Sequence, residues 1–356
     1  MRIHNHSKGV TPSVDRSLNG SSATWVMQST GETDNCSEPG ADFQHSLYAA
    51  AYTLIFIPGI LMNSMALWVL YRFVRKHNKT IIFMVNLATA DLAHVLSLPL
   101  RIYYYINYRW PFGTFLCQFC FYLKYLNMYA SICFLTCISV QRCIFLLYPF
   151  RAKDWKQRYD VAICVVVWIF VGAACSLFLL FRTFNSPEKC FTELSINKIG
   201  SETNSILLVM VAEVVGFLLP LVIIVYCTKK TKASLQECPN PLQNATEKQK
   251  ALRMVASCAI VFLVCFTPYH IMFFFFMLVK ERLIKNCAIR QSILYIHPFC
   301  LSLASFNCCL DPILYFFTTS EFQNQMSRHS SLAIRSRLMS KESASSVKEE
   351  MRWTSN

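Results

Sequence analysis

The chain has 356 residues, of which 54% are hydrophobic, 14% aromatic and only 15% charged, and its formal net charge is +14. A water-soluble protein would carry about 25% charged residues, so this composition excludes an ordinary soluble domain. It favours a protein embedded in a membrane, whose basic excess faces anionic lipid rather than nucleic acid.

Residues 1–46 are polar and contain no early apolar segment, so we predict an N-terminal tail and no cleaved signal peptide. Three glycosylation sequons begin in this tail, at Asn5, Asn19 and Asn35. Because such sequons are glycosylated in secreted or extracellular segments, they predict that the tail is extracellular.

Seven apolar runs follow the tail, and each exceeds the ~20 residues that a helix needs to cross ~30 Å of hydrocarbon. The runs are continuous rather than alternating, which predicts membrane-spanning helices and not a barrel. We therefore expect an all-α membrane protein with a seven-helix bundle over residues 47–317. The predicted spans 1 to 7 cover approximately residues 47–71, 80–106, 116–147, 161–181, 203–228, 252–279 and 291–317.

Lysine and arginine cluster after spans 1, 3 and 7 and between spans 5 and 6. All these clusters share one side of the membrane, which the positive-inside rule makes cytoplasmic, if the N-terminus is outside. Residues 318–328 have the pattern of a short amphipathic helix on the membrane surface. Residues 329–356 form a basic, serine-rich tail whose phosphorylation would recruit arrestin. We expect a multi-pass protein of the plasma membrane.

Four of the 17 cysteines are placed to meet the oxidising outer side: Cys36, Cys117, Cys190 and Cys287. The pairings 117–190 and 36–287 would join the outer ends of the helices. Four cysteines allow three connectivities, and Cys120 competes for the position at the start of span 3, so spacing alone leaves the pairing open.

Several spans contain residues that a plain membrane anchor would avoid, because a charge at membrane depth costs roughly 3 kcal/mol. Asp91 is a lone acid in the middle of span 2, and Asp311 and Pro312 interrupt span 7. Pro220, Pro268 and Pro312 each remove a backbone hydrogen bond and predict a bend. The polar side chains able to surround Asp91 are Asn63, Asn127, Ser131, Asn307 and Asp311.

In order and spacing, these residues resemble the motifs of the rhodopsin-like G-protein-coupled receptors, over residues 47 to about 328. The matching motifs are Gly59-x-x-x-Asn63, Asn86-Leu87-Ala88-x-x-Asp91, Trp168, Pro220, Cys265-Phe266-x-Pro268 and Asp311-Pro312-x-x-Tyr315. The resemblance implies a receptor that couples to a heterotrimeric G protein. The activation residues that it implies are Arg142, Phe266, Pro268, Asp311, Pro312 and Tyr315.

The resemblance also implies an allosteric sodium ion held by Asp91, Ser131, Asn307 and Asp311, for which the alternative is a polar network around ordered water. No other cofactor is expected. At the end of span 3, Gln141-Arg142-Cys143 replaces the family's Asp-Arg-Tyr triplet. Loss of the acid removes one restraint on Arg142, so we expect higher basal activity.

Basic residues gather in the outer half of the predicted bundle and indicate an anionic ligand, since arginine binds phosphate and carboxylate in a bidentate manner. They are Arg101, Lys124, Arg182, Lys280, Arg290 and His297. Lys124 precedes Arg142 by 18 residues, or five helical turns, so the two share a face of span 3. Alternatively, Lys124 forms a buried ion pair with Glu213, and the residues at helix ends extend towards the interface.

Span 6 favours a lipid over a nucleotide. Phe266-Thr267-Pro268-Tyr269-His270 resembles the motif of nucleotide receptors, but Phe273 stands where those receptors have a cation three places after the histidine. The run Phe273–Phe276 offers apolar surface for an acyl chain, at about 0.8 kcal/mol per buried CH₂, although some of these rings must face lipid.

Longer stretches resemble the lysophosphatidylserine receptors of the purinergic-receptor-like branch. This resemblance implies a lysophosphatidylserine ligand and coupling through the G12/13 class. The ligand-binding residues are then Arg101, Tyr105, Lys124, Tyr125, Arg182, Lys280 and His297, of which Lys124 and His297 are predicted from position alone. A nucleotide-responsive receptor and a lipid-binding protein that does not couple stay open as alternatives.

Two further classes are disfavoured. The chain has nine glycines, no phosphate-binding glycine loop and no His-x-x-x-His zinc spacing, so we do not expect an enzyme. A transporter would show an inverted repeat, which the seven spans lack.

Overall fold

The structure, a computed structural model, describes residues 41–74, 81–180, 190–191, 207, 210–236, 245–281 and 283–318. Within these ranges the regular structure is entirely helical, and seven helices are long and apolar enough to cross a membrane. Spans 1 to 7 are Asp42–Tyr71, Ile81–Asn107, Gly113–Leu147, Gln157–Leu177, Met210–Gln236, Lys248–Lys280 and Cys287–Leu314. The predicted all-α, seven-helix fold is confirmed.

Helix ends differ from the predicted spans by several residues where polar side chains continue a helix. The first helix is Ala41–Val74 and so begins six residues before the apolar run, with Asp42 in its first turn, where an acid favours the helix dipole. Span 5 continues through Lys229 and Lys230 to Gln236. Hydropathy detects the apolar part of a helix, whereas the backbone continues beyond it.

The remaining helix bounds are as follows. Spans 2, 3 and 4 belong to helices Ile81–Asn107, Gly113–Leu147 and Gln157–Leu180, and the short helix Pro149–Asp154 lies between spans 3 and 4. Span 5 contains a π-helical turn Val214–Leu218 followed by Leu219–Gln236. Span 6 consists of Ala245–Val261, a π-helical turn Phe262–Phe266 and Thr267–Lys280. Span 7 consists of Cys287–Ser305 and Asn307–Thr318. The surface helix predicted after span 7, from residue 319 onward, and the tail 329–356 lie outside the described residues.

Two of the three prolines predicted to bend helices follow a π-helical turn. Pro220 comes two residues after the turn Val214–Leu218, and Pro268 comes two residues after Phe262–Phe266. A proline ring clashes with the carbonyl four residues earlier, and the wider turn accommodates both the ring and the missing hydrogen bond. In span 7 the helix is interrupted at Phe306, six residues before Pro312.

Close contacts between spans 1, 2, 4 and 7 form the side of the bundle that carries the polar motifs. Trp168 Nε1 donates a hydrogen bond of 2.7 Å to Asn86 Oδ1 and so ties span 4 to span 2. Asn63 Nδ2 donates to the carbonyl of Cys308, at 2.7 Å, and ties span 1 to span 7. At Gly59 an added Cβ would lie 2.8 Å from Val95 Cγ2, so only glycine allows spans 1 and 2 to approach this closely.

Candidate functional site

A disulfide joins the start of span 3 to the segment before span 5. Cys117 and Cys190 are bonded with a Cα–Cα distance of 5.6 Å, which confirms one predicted pairing, while Cys120 is a free, buried thiol. We call this end of the bundle the disulfide end, and the opposite end the Arg142 end. Cys36, the predicted partner of Cys287, lies outside the described residues, as do Asn5, Asn19 and Asn35.

Aromatic rings cover the disulfide end beside Cys190. The ring of Phe191 lies 5.2 Å from Tyr104, 5.7 Å from Tyr105 and 5.1 Å from Phe121, measured between centroids. We call these four rings, with Trp110 at 5.5 Å from Phe191, the aromatic lid. Tyr105, predicted to bind ligand, is a buried member of this lid.

Arg101 lies directly below the aromatic lid and is fully buried. Its guanidinium carbon is 4.9 Å from the centroid of Phe191, and its Nη2 donates to the carbonyl of Cys120. Its Nε and Nη1 have no partner among the described residues. Burying unsatisfied donors on a charged group is costly, so the arrangement is suited to an anion that accepts from both nitrogens.

Three further polar side chains lie beside Arg101. The Lys124 side chain is 9% exposed, and its Nζ is 5.8 Å from the ring centroid of Tyr125. His94 is within electrostatic reach of both cations, and Tyr52 is adjacent to Arg101. The Tyr52 hydroxyl and both ring nitrogens of His94 are buried and lack partners among the described residues. Tyr52, His94, Arg101 and Lys124 are called the cationic cluster.

Predicted site residues on spans 6 and 7 form a neighbouring group. The ring of His297 stacks on Phe276 at 4.2 Å, and Lys280 Nζ lies 5.4 Å from that same ring. His297 is within electrostatic reach of both Lys124 and Lys280, so this group adjoins the cationic cluster. Tyr125 joins the two groups, because it contacts Lys124 and lies beside Tyr269. Arg182 lies outside the described residues.

An ion pair between spans 5 and 6 is a contact that sequence reasoning missed. Glu213 Oε2 lies 3.0 Å from Nδ1 of His270, whose ring stacks on Phe217 at 4.5 Å. Glu213 immediately precedes the π-helical turn of span 5. The sequence suggests Glu213 as a partner for Lys124; the signal for His270 is its place one helical turn after Phe266.

The buried polar core lies in the middle of the bundle. Asn127 Nδ2 donates a hydrogen bond of 2.8 Å to Asp91 Oδ1, and Ser131 Oγ lies 3.5 Å from the same nitrogen. The carboxyl of Asp311 is next to that of Asp91. Atoms with no partner among the described residues are Asp91 Oδ2, both oxygens of Asp311 and the amide atoms of Asn307.

The donor set of the polar core fits a hard cation. Carboxylate, amide and hydroxyl oxygens are the ligands that hard cations take. The residues that the structure describes contain no group of three His, Cys, Asp or Glu side chains arranged for a metal ion. The oxygens of Ser131 and Asn307 would therefore have to complete a site with Asp91 and Asp311.

At the Arg142 end, spans 3, 5 and 6 pack against one another. Cys143, Cys227 and Val255 form a buried apolar cluster one residue beyond the partly buried Arg142. Further into the bundle, Phe266 is fully buried and closes the π-helical turn that precedes Pro268. The predicted activation residues thus lie along contacting helices, except that the side chain of Tyr315 is outside what the structure describes.

Comparisons with known proteins agree with this architecture. Residues 62–315 match the 7 transmembrane receptor (rhodopsin family), so the chain belongs to that family. It is similar to a human protein whose name gives it as a putative purinoceptor, number 10, with 59% identity over 88% of this chain and 92% of the relative. Mouse "Probable G-protein coupled receptor 174" is 50% identical, over 81% of this chain and 87% of the relative. Human "Lysophosphatidic acid receptor 4" is 37% identical, over 79% and 76%.

These findings define a class A G-protein-coupled receptor, a multi-pass membrane protein that works with a G protein and is not an enzyme. The predicted place in a purinergic-like branch with lysophospholipid-receptor relatives is confirmed.

Proposed function

We propose that this chain is a plasma-membrane receptor for an anionic lysophospholipid, with lysophosphatidylserine as its ligand, and that it signals through G proteins of the G12/13 class. In this proposal the N-terminus and the disulfide end are extracellular. The observation that carries it is Arg101, a fully buried guanidinium with two nitrogens that lack partners among the described residues.

The cationic cluster supports binding of a phosphodiester head group. A phosphate oxygen pair accepts from Nε and Nη1 of Arg101 in bidentate geometry, and Lys124 adds a second charge. His94 and the Tyr52 hydroxyl are placed to bond the remaining head-group or glycerol oxygens. The aromatic lid excludes water from these contacts, which strengthens them.

The phenylalanine run of span 6 supports the lipid part of the proposal. Phe273 and Phe276 are partly buried, and Phe273 stacks on Tyr269 at 5.6 Å. Phe274 and Phe275 are 36% and 41% exposed and face outward. The run is thus divided between inner and lipid-facing surface, as expected, and Phe273 offers a ring where a nucleotide phosphate would need a cation.

We also propose that Asp91, Ser131, Asn307 and Asp311 hold a sodium ion. The partnerless oxygens of Asp91 and Asp311 support this assignment. When bound, the ion would offset the repulsion between the two neighbouring carboxylates and so stabilise the packing of spans 2, 3 and 7.

The ligand proposal is tested by G-protein dissociation in cells, with all four classes of Gα and a panel containing lysophosphatidylserine, lysophosphatidic acid and nucleoside diphosphates. We expect dissociation of the G12/13 class with lysophosphatidylserine and loss of the response in Arg101→Ala at unchanged surface expression. Arg109→Ala, which removes an exposed charge at the same end, is the matched control. A response to nucleotides alone, or an unchanged potency in Arg101→Ala, would refute the proposal.

The orientation is tested separately on the same cells. Removal of N-glycans should increase the electrophoretic mobility of the wild type, and replacing Asn5, Asn19 and Asn35 by Gln should abolish that change. An unglycosylated wild-type tail would contradict an extracellular N-terminus.

A further inference from the structure

A buried carboxylate joins three elements at the Arg142 end. Asp160, in the first turn of the span 4 helix, is fully buried. Its Oδ1 accepts one hydrogen bond of 2.8 Å from Gln141 Nε2 and another of 2.8 Å from Trp155 Nε1. Gln141 belongs to span 3, and Trp155 directly follows the short helix Pro149–Asp154. One oxygen atom therefore links the end of span 3, the short helix and the start of span 4.

The short helix depends on this link for its position. At its beginning, Tyr148 N donates to the Ile144 carbonyl at 2.8 Å, which continues from span 3. At its end, Trp155 packs edge-on against Phe145 at 5.9 Å and against Tyr159 at 5.7 Å. No residue of the short helix is itself buried, so core packing does not fix it. Its anchor is Trp155, and the polar contact of that anchor is Asp160.

The exposed surface of the short helix has the composition of a protein-binding face. Phe150 is 85% exposed and Tyr148 is 52% exposed, beside the basic side chains of Arg151 and Lys153. An exposed aromatic pair surrounded by charge marks an interaction surface. Its position at the Arg142 end places it on the same side as the span 3, 5 and 6 cluster.

The identity of residue 141 explains why the acid lies in span 4. Gln141 occupies the position next to Arg142 where the family motif has an acid, and an amide can donate whereas a carboxylate cannot. The hydrogen bond therefore runs from span 3 to an acceptor on span 4. In this chain the buried negative charge is held by Asp160 and directed towards the short helix.

We propose that Asp160 is a positioning residue for G-protein coupling: it holds the short helix, and with it Phe150, in the geometry that the G protein contacts. The inference rests on membership of the receptor family and is independent of the identity of the lipid ligand. Charge-assisted hydrogen bonds from two donors make Asp160 a strong anchor in a buried site.

The test uses the full-length receptor in nanodiscs without added lipid ligand. Hydrogen exchange of the amides in residues 149–155 measures anchoring of the short helix. Guanine-nucleotide exchange on purified heterotrimers of all four classes, at matched receptor density, measures coupling. Both measurements report on the proposal whether or not lysophosphatidylserine is the ligand.

We expect Asp160→Ala to accelerate exchange in residues 149–155 and to reduce coupling, each by roughly tenfold, the effect of losing one charge-assisted bond. Trp155→Phe removes only the N–H donor and keeps the ring, so it guards against misfolding and should change both measurements in the same direction. Asp154→Ala, which removes an exposed acid at the end of the short helix, is the matched control and should change neither.

Two results would overturn the proposal. One is wild-type protection of residues 149–155 in both Asp160→Ala and Trp155→Phe. The other is lost protection with coupling equal to that of the wild type, which would make the bond structural only.

Discussion

Glu213 in span 5 and His270 in span 6 form an ion pair at 3.0 Å, in the half of the bundle on the disulfide side of Pro220 and Pro268. Both π-helical turns lie next to this pair, since Glu213 precedes one directly and His270 follows the other by four residues. The pair therefore connects the two spans at the places where their backbones are irregular, above the buried ring of Phe266.

The Glu213–His270 pair should be energetically coupled. We expect Glu213→Gln and His270→Asn each to lower the thermal stability of the purified receptor, because each leaves a buried partner uncompensated. The double variant should lose less than the sum of the single variants, by roughly 0.5–3 kcal/mol. Thermal unfolding of all four proteins measures this difference, and strictly additive losses would show that the contact contributes nothing.

Arg101→Lys should separate charge from geometry at the cationic cluster. Lysine keeps the positive charge but presents a point charge in place of the planar guanidinium, so bidentate binding is lost. We expect the potency of lysophosphatidylserine to fall at least about tenfold, equivalent to about 1.4 kcal/mol, with the maximal response retained. Dose–response curves for Arg101→Lys and Arg101→Ala distinguish the two contributions; equal curves for Arg101→Lys and wild type would exclude bidentate recognition.

Sodium should act as a negative modulator through Asp91. Replacing sodium by choline in the assay buffer should raise agonist affinity in the wild type, because the ion stabilises the resting arrangement of spans 2, 3 and 7. Asp91→Asn removes a carboxylate of the site, so its agonist affinity should no longer depend on sodium. Competition binding in the two buffers makes the measurement, and an unchanged sodium dependence in Asp91→Asn would place the effect elsewhere.

The expectation of raised basal activity needs a test that respects Asp160. Gln141→Asp alone would set two carboxylates against each other, because the Gln141 amide donates to Asp160 at 2.8 Å. The informative comparison is Gln141→Asp with Asp160→Asn against Asp160→Asn alone. If an acid beside Arg142 restrains it, the double variant signals less without ligand, and equal basal signalling would mean that no such restraint exists.

Gly59 should be intolerant of a side chain. Gly59→Ala would place Cβ 2.8 Å from Val95 Cγ2 and should destabilise the receptor by about 1–3 kcal/mol, the usual cost of overpacking. Gly172→Ala is a matched control: its Cβ would meet only the Tyr122 hydroxyl, at 3.2 Å, and helix propensity favours alanine. A comparison of melting temperatures in nanodiscs decides between them, and equal losses would point to backbone effects common to both glycines.

The bundle and its motifs could be predicted because each rests on local information. Runs of more than 20 apolar residues define spans, and Asp91, Pro268 and Asp311 stand out against an apolar background. The spacing between Lys124 and Arg142 predicts that Lys124 faces inward, and its side chain is indeed only 9% exposed. Each of these inferences needs one helix at a time.

Contacts between helices were harder to predict. Nothing local in Asp160 distinguishes it from the acids that begin many helices, and its burial depends on Gln141 and Trp155 arriving from other elements. Glu213 has several cations within plausible reach, and the choice of His270 depends on how spans 5 and 6 rotate about their π-helical turns. His94 carries no sequence signal of its own, because a lone histidine on an apolar face usually belongs to the core.

Phe191 is the residue immediately after Cys190, and its ring covers the guanidinium of Arg101 at 4.9 Å. The covalent bond to Cys117 therefore fixes the ring that closes the cationic cluster from above. A chain that has inserted all seven helices but has not met an oxidant would possess the bundle without a closed cluster. Oxidative maturation in the secretory pathway would then be the step that makes the receptor competent to bind its ligand, and a thiol reductant applied to cells would act as an antagonist.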